Sequence, residues 1–498
     1  MTAVLRAGDS GAGAAVDRRV FGSFVEHLGR CVYTGIYEPG HPTADAAGFR
    51  GDVLELTREL GVTTVRYPGG NFVSSYRWED GVGPVAERPR RLDLAWHSLE
   101  TNEFGTNEFM AWCAAAGVEP MMAVNIGTRG TEAALDLLEY CNHPSGTALS
   151  DLRREHGVEA PHGVKVWCLG NEMDGPWQVG HMSPTEYARA ARELAHAMKL
   201  VDSRLELVAC GSSARSMPTF GEWERAVITE AFDHIDMVSA HAYYEEHDGD
   251  LASFLGSATD MDAFITEVAA VADEVSAAKC SDKRIHISFD EWNVWYMTRT
   301  PAQMPTDWPV APRLLEDVYS VADAVVVGDL LITLLRHADR VRAASLAQLV
   351  NVIGPIMTEP GGTAWRQTTF YPFSLTARHA GGEVLDASVD SPTVATAKYG
   401  DVAAVNAVLT RADDGALTVF AVNRDTRGER RLELDLAGLA TAASATGTAL
   451  HHDDPYAANT AARPDAVSPA PLDVTIDGTR VGATLPAVSW AMIRIESA

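Results

Sequence analysis

The chain has 498 residues, 46% hydrophobic and 22% charged, the balance of a soluble globular protein longer than one ordinary core can hold. One large barrel with an accessory domain, or two domains, is therefore expected. With 68 Asp+Glu against 40 Lys+Arg the net charge is −28, which excludes nucleic acid and anionic membranes, because both need a basic footprint, and is compatible with a neutral ligand such as a sugar.

The stretch Met1 to Asp17 has no basic start followed by an apolar run, so no signal peptide is expected, and no run of about 18 apolar residues predicts a membrane span. A cytoplasmic protein follows as the expectation. Up to about residue 375, short strand-like apolar runs alternate with helical stretches. The strand candidates are Val20–Val25, Val62–Arg66, Pro120–Val124, Val164–Leu169, Leu205–Ala209, Ile235–Ala240, Arg284–Phe289 and Ala343–Leu349. Between them apolar residues recur at spacings of three and four, as in Tyr187, Ala190, Ala191, Leu194 and Met198. Eight such repeats predict a (β/α)8 (TIM) barrel over residues 15–375. A doubly wound open sheet is the alternative, but no Gly-rich phosphate loop follows the first strand.

From about Leu375 the texture changes to alternating runs: Val402–Leu409, Leu417–Val422, Leu432–Leu436, Val474–Ile476 and Ser489–Ile495. Turn pairs such as Asp414-Gly415 and Asp477-Gly478 separate some of them. This predicts an antiparallel, jelly-roll-like β-sandwich over 376–498, with residues 1–14 added and Val4 to Ala7 as an edge strand. Ala457–Pro471, rich in Ala and Pro, is expected to be an irregular loop. The six cysteines (Cys31, Cys113, Cys141, Cys168, Cys210, Cys280) show neither CxxC nor metal-ligand spacing and are expected to be reduced thiols.

Polar residues collect just after several predicted strands, on the rim where a barrel of this kind builds its active site. They are Glu26-His27, Arg66 to Asn71, Asn171-Glu172-Met173-Asp174, His241 to Tyr244, Asp290 to Trp295, and Gln348 with Asn351. Two glutamates, Glu172 after the fourth strand and Glu291 after the seventh, could flank one sugar from opposite sides of a closed barrel. Glycoside hydrolysis needs such a pair, one carboxyl to protonate the leaving oxygen and one to attack or to activate water. An Asn-Glu pair alone would equally be a rim salt bridge; Glu291 three strands later tips the balance. The tryptophans are weighed as sugar platforms against buried packing, and only Trp96 and Trp295 are expected to touch substrate. Lacking a third convergent ligand, His27 and His241 are expected to be hydrogen-bonded rim histidines, and no metal or cofactor is expected. Arg88, Arg90 and Arg91 form a short basic cluster, read as a solvated loop or a subunit contact.

Four runs carry a resemblance: Arg66-Tyr67-Pro68-Gly69-Gly70-Asn71-Phe72, Trp78 to Pro84 (WEDGVGP), Cys168 to Trp177 (CLGNEMDGPW) and Ser288 to Trp295 (SFDEWNVW). In them, and over nearly its whole length, the chain resembles the α-L-arabinofuranosidases of glycoside hydrolase family 51. The resemblance implies a retaining, exo-acting enzyme that releases terminal α-L-arabinofuranosyl residues from oligosaccharides, with Glu172 as acid/base and Glu291 as nucleophile. It further implies that Glu26, Asn71, Asn171, Tyr243 and Gln348 hydrogen-bond the arabinose. Arg66 would sit beside the nucleophile, His241 and Trp295 would line the pocket, and the protein would be a homo-oligomer, a hexamer. A rival of the same clan, a β-glycosidase or endoglucanase with an extended cleft, would share both glutamates. A non-catalytic carbohydrate-binding barrel would have lost one. One departure is visible: after His143-Pro144-Ser145-Gly146-Thr147 the family often has an aromatic near the leaving group, whereas this chain has Ala148-Leu149-Ser150.

Overall fold

The computed structural model describes residues 2–8 and 13–497. Eight parallel strands, taken in chain order, close into a barrel: Gly22–Phe24, Thr64–Tyr67, Glu119–Ala123, Val166–Leu169, Glu206–Ala209, Met237–Tyr244, His286–Val294 and Val341–Ala347. Closure is made by the last strand on the first, in the register Ser345↔Gly22, Leu346↔Ser23 and Ala347↔Phe24. Each predicted run overlaps one of these strands. The sixth and seventh extend past their predicted ends, so His241–Tyr244 and Glu291–Val294 are still paired with each other (His241↔Glu291, Tyr243↔Asn293).

Alternation explains why strands covered on both faces read as continuous apolar runs. In Val166–Leu169, Val166 and Cys168 join Met121, Ala123, Val208, Met237 and Ala343 in a small cluster of their own. Trp167 and Leu169 pack in the large cluster that contains the helical residues. Helices follow ordinary rules at their ends: Ser183 caps Pro184–Val201 by accepting from Glu186 N, with proline in the first turn.

The C-terminal region forms two sheets. The seven-stranded sheet runs Gly13–Ala15, Glu383–Leu385, Val405–Arg411, Leu417–Asn423, Ser489–Ser497, Ala442–Leu450, Ala470–Leu472 in spatial order. The five-stranded sheet runs Ala387–Asp390, Thr2–Ala7, Arg430–Asp435, Arg480–Leu485, Val474–Asp477. The N-terminal strand is thus interior, antiparallel to Ala387–Asp390 and parallel to Arg430–Asp435, rather than at the edge. The predicted run Val402–Leu409 is two strands. Gly400–Ala403 turns back on Thr393–Thr396 as a separate hairpin, and only Val405–Arg411 joins the large sheet. Part of the expected loop at 457–471 also ends in a strand, Ala470–Leu472.

Strand Leu417–Asn423 shows how the two regions join. Leu417, Val419 and Ala421 face the partner sheet, while Phe420 and Val422 belong to the barrel's apolar cluster. They meet helix Val321–Arg336, which is buried from Val321 through Leu335 because it lies between barrel and sheet. Its Gly328 is required by close approach: a Cβ there would stand 2.2 Å from the Trp490 ring. Beside it, buried Asp329 accepts from Asn406 (2.8 Å) and from Nε of Arg424 (2.7 Å), which satisfies two polar groups of the sandwich inside the interface. No helix among the described residues is long and apolar enough to cross a membrane.

Candidate active site

At the carboxyl ends of the strands lies a pocket lined by Glu26, Leu28, Gly70, Asn71, Trp96, Glu172, Tyr243, Glu291, Trp295, Leu315, Gln348 and Ile353. Eight of the eleven residues singled out from the sequence line it. The other three are not among the lining residues: Arg66 and His241 bond the two carboxylates, and Asn171 accepts from Arg66.

Glu291 is fixed from two sides. Arg66 donates to its Oε1 at 2.8 Å and Tyr243 to its Oε2 at 2.7 Å. The second guanidinium nitrogen of Arg66 donates to Oδ1 of Asn171 at 2.7 Å, so one side chain registers the second, fourth and seventh strands against one another. Arg66 is 1% exposed, its Nε 3.7 Å from Asp290 and its guanidinium over the ring of Phe24. Burial pushes Asp290 up, against the pull of Arg66.

Glu172 is held differently. His241 Nδ1 lies 2.9 Å from its Oε1, and the indole N–H of Trp177 donates to its Oε2 at 2.7 Å. Its backbone stands at φ 44°, a left-handed conformation unusual for a residue with a side chain. One oxygen of Glu172, one of Glu291 and a ring nitrogen of His241 all lie within 4.8 Å of one another. Burial lowers the pKa of His241, but Glu291 and Glu172 beside it win and raise it above the usual histidine value.

Glu26 forms the far wall. Its Oε1 accepts from Phe72 N (3.0 Å) and from the Trp96 indole (2.9 Å), and its Oε2 from Gln348 Nε2 (3.0 Å). Burial pushes this carboxyl up to about 8, outweighing the hydrogen bonds from Phe72 N and Trp96 that favour the anion. Gly70 is required here, since a Cβ would sit 2.5 Å from Glu26 Oε2. Leu315 (φ 55°) and Ile353 (φ 38°) complete the wall in strained conformations, linked by Ile353 N donating to Leu315 O at 2.7 Å.

Several expectations are corrected. Trp177, grouped with core or supporting tryptophans, is 51% exposed and touches Glu172 directly. Nothing in composition marked it, although it closes the CLGNEMDGPW run. His27, by contrast, is hydrogen-bonded as expected, a buried link between Glu100 (2.8 Å) and Tyr67 (2.7 Å). Arg88 is no solvated residue: it donates to Glu108, Gly83 O and Asn102 O, while Arg91 pairs with Asp80. The Ala148-Leu149-Ser150 departure opens helix Ala148–Glu155. That helix follows Thr131–Asn142, which has already returned the chain to the amino-terminal face of the barrel, where Asn142 bonds Val164 at the start of the fourth strand. Within one chain the departure is therefore remote from Glu172. Five cysteines are buried and Cys280 is exposed, all as free thiols.

A closed eight-stranded barrel with two buried glutamates facing each other across a rim pocket is the architecture of a glycoside hydrolase. Two family models match the chain, the α-L-arabinofuranosidase 1 domain over residues 56–263 and the α-L-arabinofuranosidase C-terminal domain over 290–489. The intracellular exo-α-(1→5)-L-arabinofuranosidase of Streptomyces lividans is 62% identical over 485 residues, 96% of this chain and 73% of that one. The exo-α-(1→6)-L-arabinofuranosidase of Bifidobacterium longum is 57% identical over 497 residues, 97% of this chain and 95% of that one. Among solved structures, a family 51 α-L-arabinofuranosidase from Bifidobacterium longum superimposes with a TM-score of 0.96 at 54% identity, covering 99% of both chains. The arabinose complex of the Thermotoga maritima α-L-arabinofuranosidase gives 0.88 at 34% identity, again over 99% of both. The chain belongs to the α-L-arabinofuranosidases of glycoside hydrolase family 51.

Two outcomes follow from this geometry. Glu26 is raised from 4.5 to about 8, so its neutral form favours the fold; that contribution is complete below about 4.5 and is lost as pH rises through about 8. Gln348 Oε1 has no partner, and a protonated Glu26 could donate to it once the Gln348 amide is turned over. Glu26→Gln places an amide in the same position at every pH. The Tm of Glu26→Gln relative to wild type should therefore rise steadily between pH 5 and 8; a pH-independent difference would refute the neutral carboxyl. For Trp177→Phe, loss of the hydrogen bond that the half-exposed indole gives to the buried Glu172 carboxyl should lower kcat/KM about tenfold on an oligosaccharide whose leaving group needs a proton. A dinitrophenyl arabinofuranoside, which leaves unprotonated, should be turned over as by wild type. Equal losses on both would mean that Trp177 serves binding alone.

Proposed function

We infer that the chain releases terminal α-L-arabinofuranosyl residues by double displacement, with Glu291 as nucleophile and Glu172 as acid/base. The observation that carries the pairing is the separation: carboxyl oxygens within 4.8 Å suit direct attack with retention, for which carboxyls stand about 5 to 5.5 Å apart, and leave no room for an inverting water. The division of roles rests on the neighbours. Arg66 and Tyr243 aim both lone-pair faces of Glu291, as a nucleophile requires, and buried donors already in place need no reorganisation during the reaction. Glu172, between His241 and the half-exposed Trp177, can exchange a proton with solvent.

In the first step Glu291 attacks the anomeric carbon while Glu172 protonates the departing oxygen, which gives a covalent arabinosyl-enzyme. In the second, Glu172 takes a proton from water, which displaces Glu291. Asn171, anchored by Arg66, is placed to hold the sugar 2-hydroxyl, and Glu26, Asn71, Trp96, Trp295 and Gln348 to enclose the ring. We assign α-(1→5)-linked arabino-oligosaccharides as substrate and the cell interior as the site of action, because similar proteins from Streptomyces lividans, Bacillus subtilis and others are intracellular exo-α-(1→5)-L-arabinofuranosidases. Assembly as a symmetric homo-oligomer, a hexamer, belongs to the same reading and is checked by light scattering at micromolar concentration, where a monomer would overturn it.

The test separates the two glutamates. Glu291→Ala should fail with every leaving group. Glu172→Ala should keep its first step on a dinitrophenyl arabinofuranoside, accumulate the covalent intermediate, and be accelerated by azide to give the azide of retained configuration. Poor leaving groups should lose about 10²–10⁴-fold. Azide rescue of Glu291→Ala to an inverted product, with no effect on Glu172→Ala, would reverse the roles. In a nitrophenyl panel, faster cleavage of β-D-xylopyranoside, β-D-galactofuranoside or β-D-glucopyranoside than of α-L-arabinofuranoside would overturn the specificity.

A further inference from the structure

The sequence showed two rim histidines without a third convergent ligand; the fold supplies two. His241 Nδ1 lies 2.9 Å from Oε1 of Glu172 and 3.7 Å from Oε2 of Glu291, and the three side chains offer ligand atoms within 4.8 Å of one another. All three residues are buried, and no other group of three His, Cys, Asp or Glu side chains among the described residues converges in this way. Bonds of about 2.0–2.2 Å to a tetrahedral zinc ion put its ligands roughly 3.3–3.6 Å apart. Shifts of about an ångström or less would bring these atoms to that spacing, with a fourth position open to the cavity for water.

We propose that Glu172, His241 and Glu291 form an inhibitory site for a borderline divalent cation, Zn²⁺ being the type, which closes the active site by occupying the position of the anomeric carbon. This rests on the catalytic pair assigned above but not on which glutamate has which role. The ligand chemistry sets the selectivity. One imidazole and two carboxylates suit Zn²⁺, Cu²⁺ or Ni²⁺, whereas Mg²⁺ and Ca²⁺ require six or more oxygens. Two carboxylates match the charge of the ion. The exchange balances: the ion enters, the proton between His241 and Glu172 leaves, and His241 becomes a neutral Nδ1 ligand. Arg66 stays on Oε1 of Glu291, so the ion takes only Oε2, and Tyr243 must give up its bond there.

The experiment is calorimetric titration of the full-length protein with ZnCl₂ in a non-chelating buffer, with MgCl₂ as control. One Zn²⁺ per chain is expected, weakened at least tenfold by L-arabinose, by His241→Phe and by Glu291→Gln, and unchanged in Cys280→Ser. Should the phenylalanine variant not fold, the glutamine variant reads the same ligand set. In kinetics, Zn²⁺ should raise KM with kcat unchanged, and EDTA should restore it. Undiminished binding in both ligand variants, loss of binding in Cys280→Ser, a fall in kcat alone, or no binding at millimolar Zn²⁺ each overturns the proposal. Because heat of binding is read without turnover, failure here leaves the azide result standing, and reversed glutamate roles would leave the metal site standing.

Discussion

A buried guanidinium governs this molecule. Arg66 is taken wholly out of water, and a charge so placed is tolerable only if its donors are satisfied by acceptors held in fixed positions. Those acceptors come from other strands: Glu291 from the seventh and Asn171 from the fourth, with Asp290 close by. Losing Glu291 would leave the guanidinium without the carboxylate it is bonded to, and losing Asn171 would orphan one of its donors, so the register of three strands is tied to one side chain. Glu291, the proposed nucleophile, gains a fixed orientation from the same contact.

The neighbouring groups are arranged around that constraint. Asp290 sits one residue before Glu291 on the opposite side of the guanidinium, accepting from Ser288 Oγ and from the Cys168 thiol at 3.6 Å. His241 stands between Glu291 and Glu172, and Tyr243 occupies the remaining oxygen of Glu291. Most polar atoms of the pocket floor are thus engaged by protein. The pocket spends backbone strain at its wall instead, at Glu172, Leu315 and Ile353, each of the kind that costs about 1–3 kcal/mol and persists only where its surroundings hold it. Asn293, which donates to the carbonyl oxygens of both Ala347 and Ile353 at 2.6 Å, is one such hold.

The barrel was readable because its strands are apolar on both faces and its helices carry a three-four spacing, so period and run length agree. The sandwich was less so. Ala442–Leu450 (AASATGTAL) is a full strand in the large sheet, but small and weakly polar side chains give it no alternation. Thr2–Ala7 sits inside its sheet by a parallel pairing with a strand more than four hundred residues later, a contact no local signal encodes. In the site, residues that follow strands were legible because a barrel gathers strand ends at one rim. The gaps were of another kind. Trp177 belongs to a loop whose path sequence does not fix, Leu315 and Ile353 are ordinary apolar residues whose importance lies in their backbone, and the helix at Ala148–Glu155 can be assigned to the wrong face unless the return of the preceding helix is followed.

The two glutamates differ in backbone setting as well as in partners. Glu291 lies within a strand that continues three residues beyond it, between two donors in the barrel floor, and has little freedom to turn. Glu172 lies just past the end of its strand, after Gly170 at φ 101°, in a turn where Gly175 N closes back on Glu172 O at 2.9 Å. One of its two partners is half-exposed. Glu291, as the proposed nucleophile, must meet the anomeric carbon along one line and gains from the first environment, since misalignment of an ångström is costly. The proposed acid/base, which must hand a proton to a leaving oxygen and later take one from water, gains from the second, at the pocket wall beside the half-exposed Trp177. The same fold supplies both, by ending the fourth strand before its glutamate and the seventh strand after.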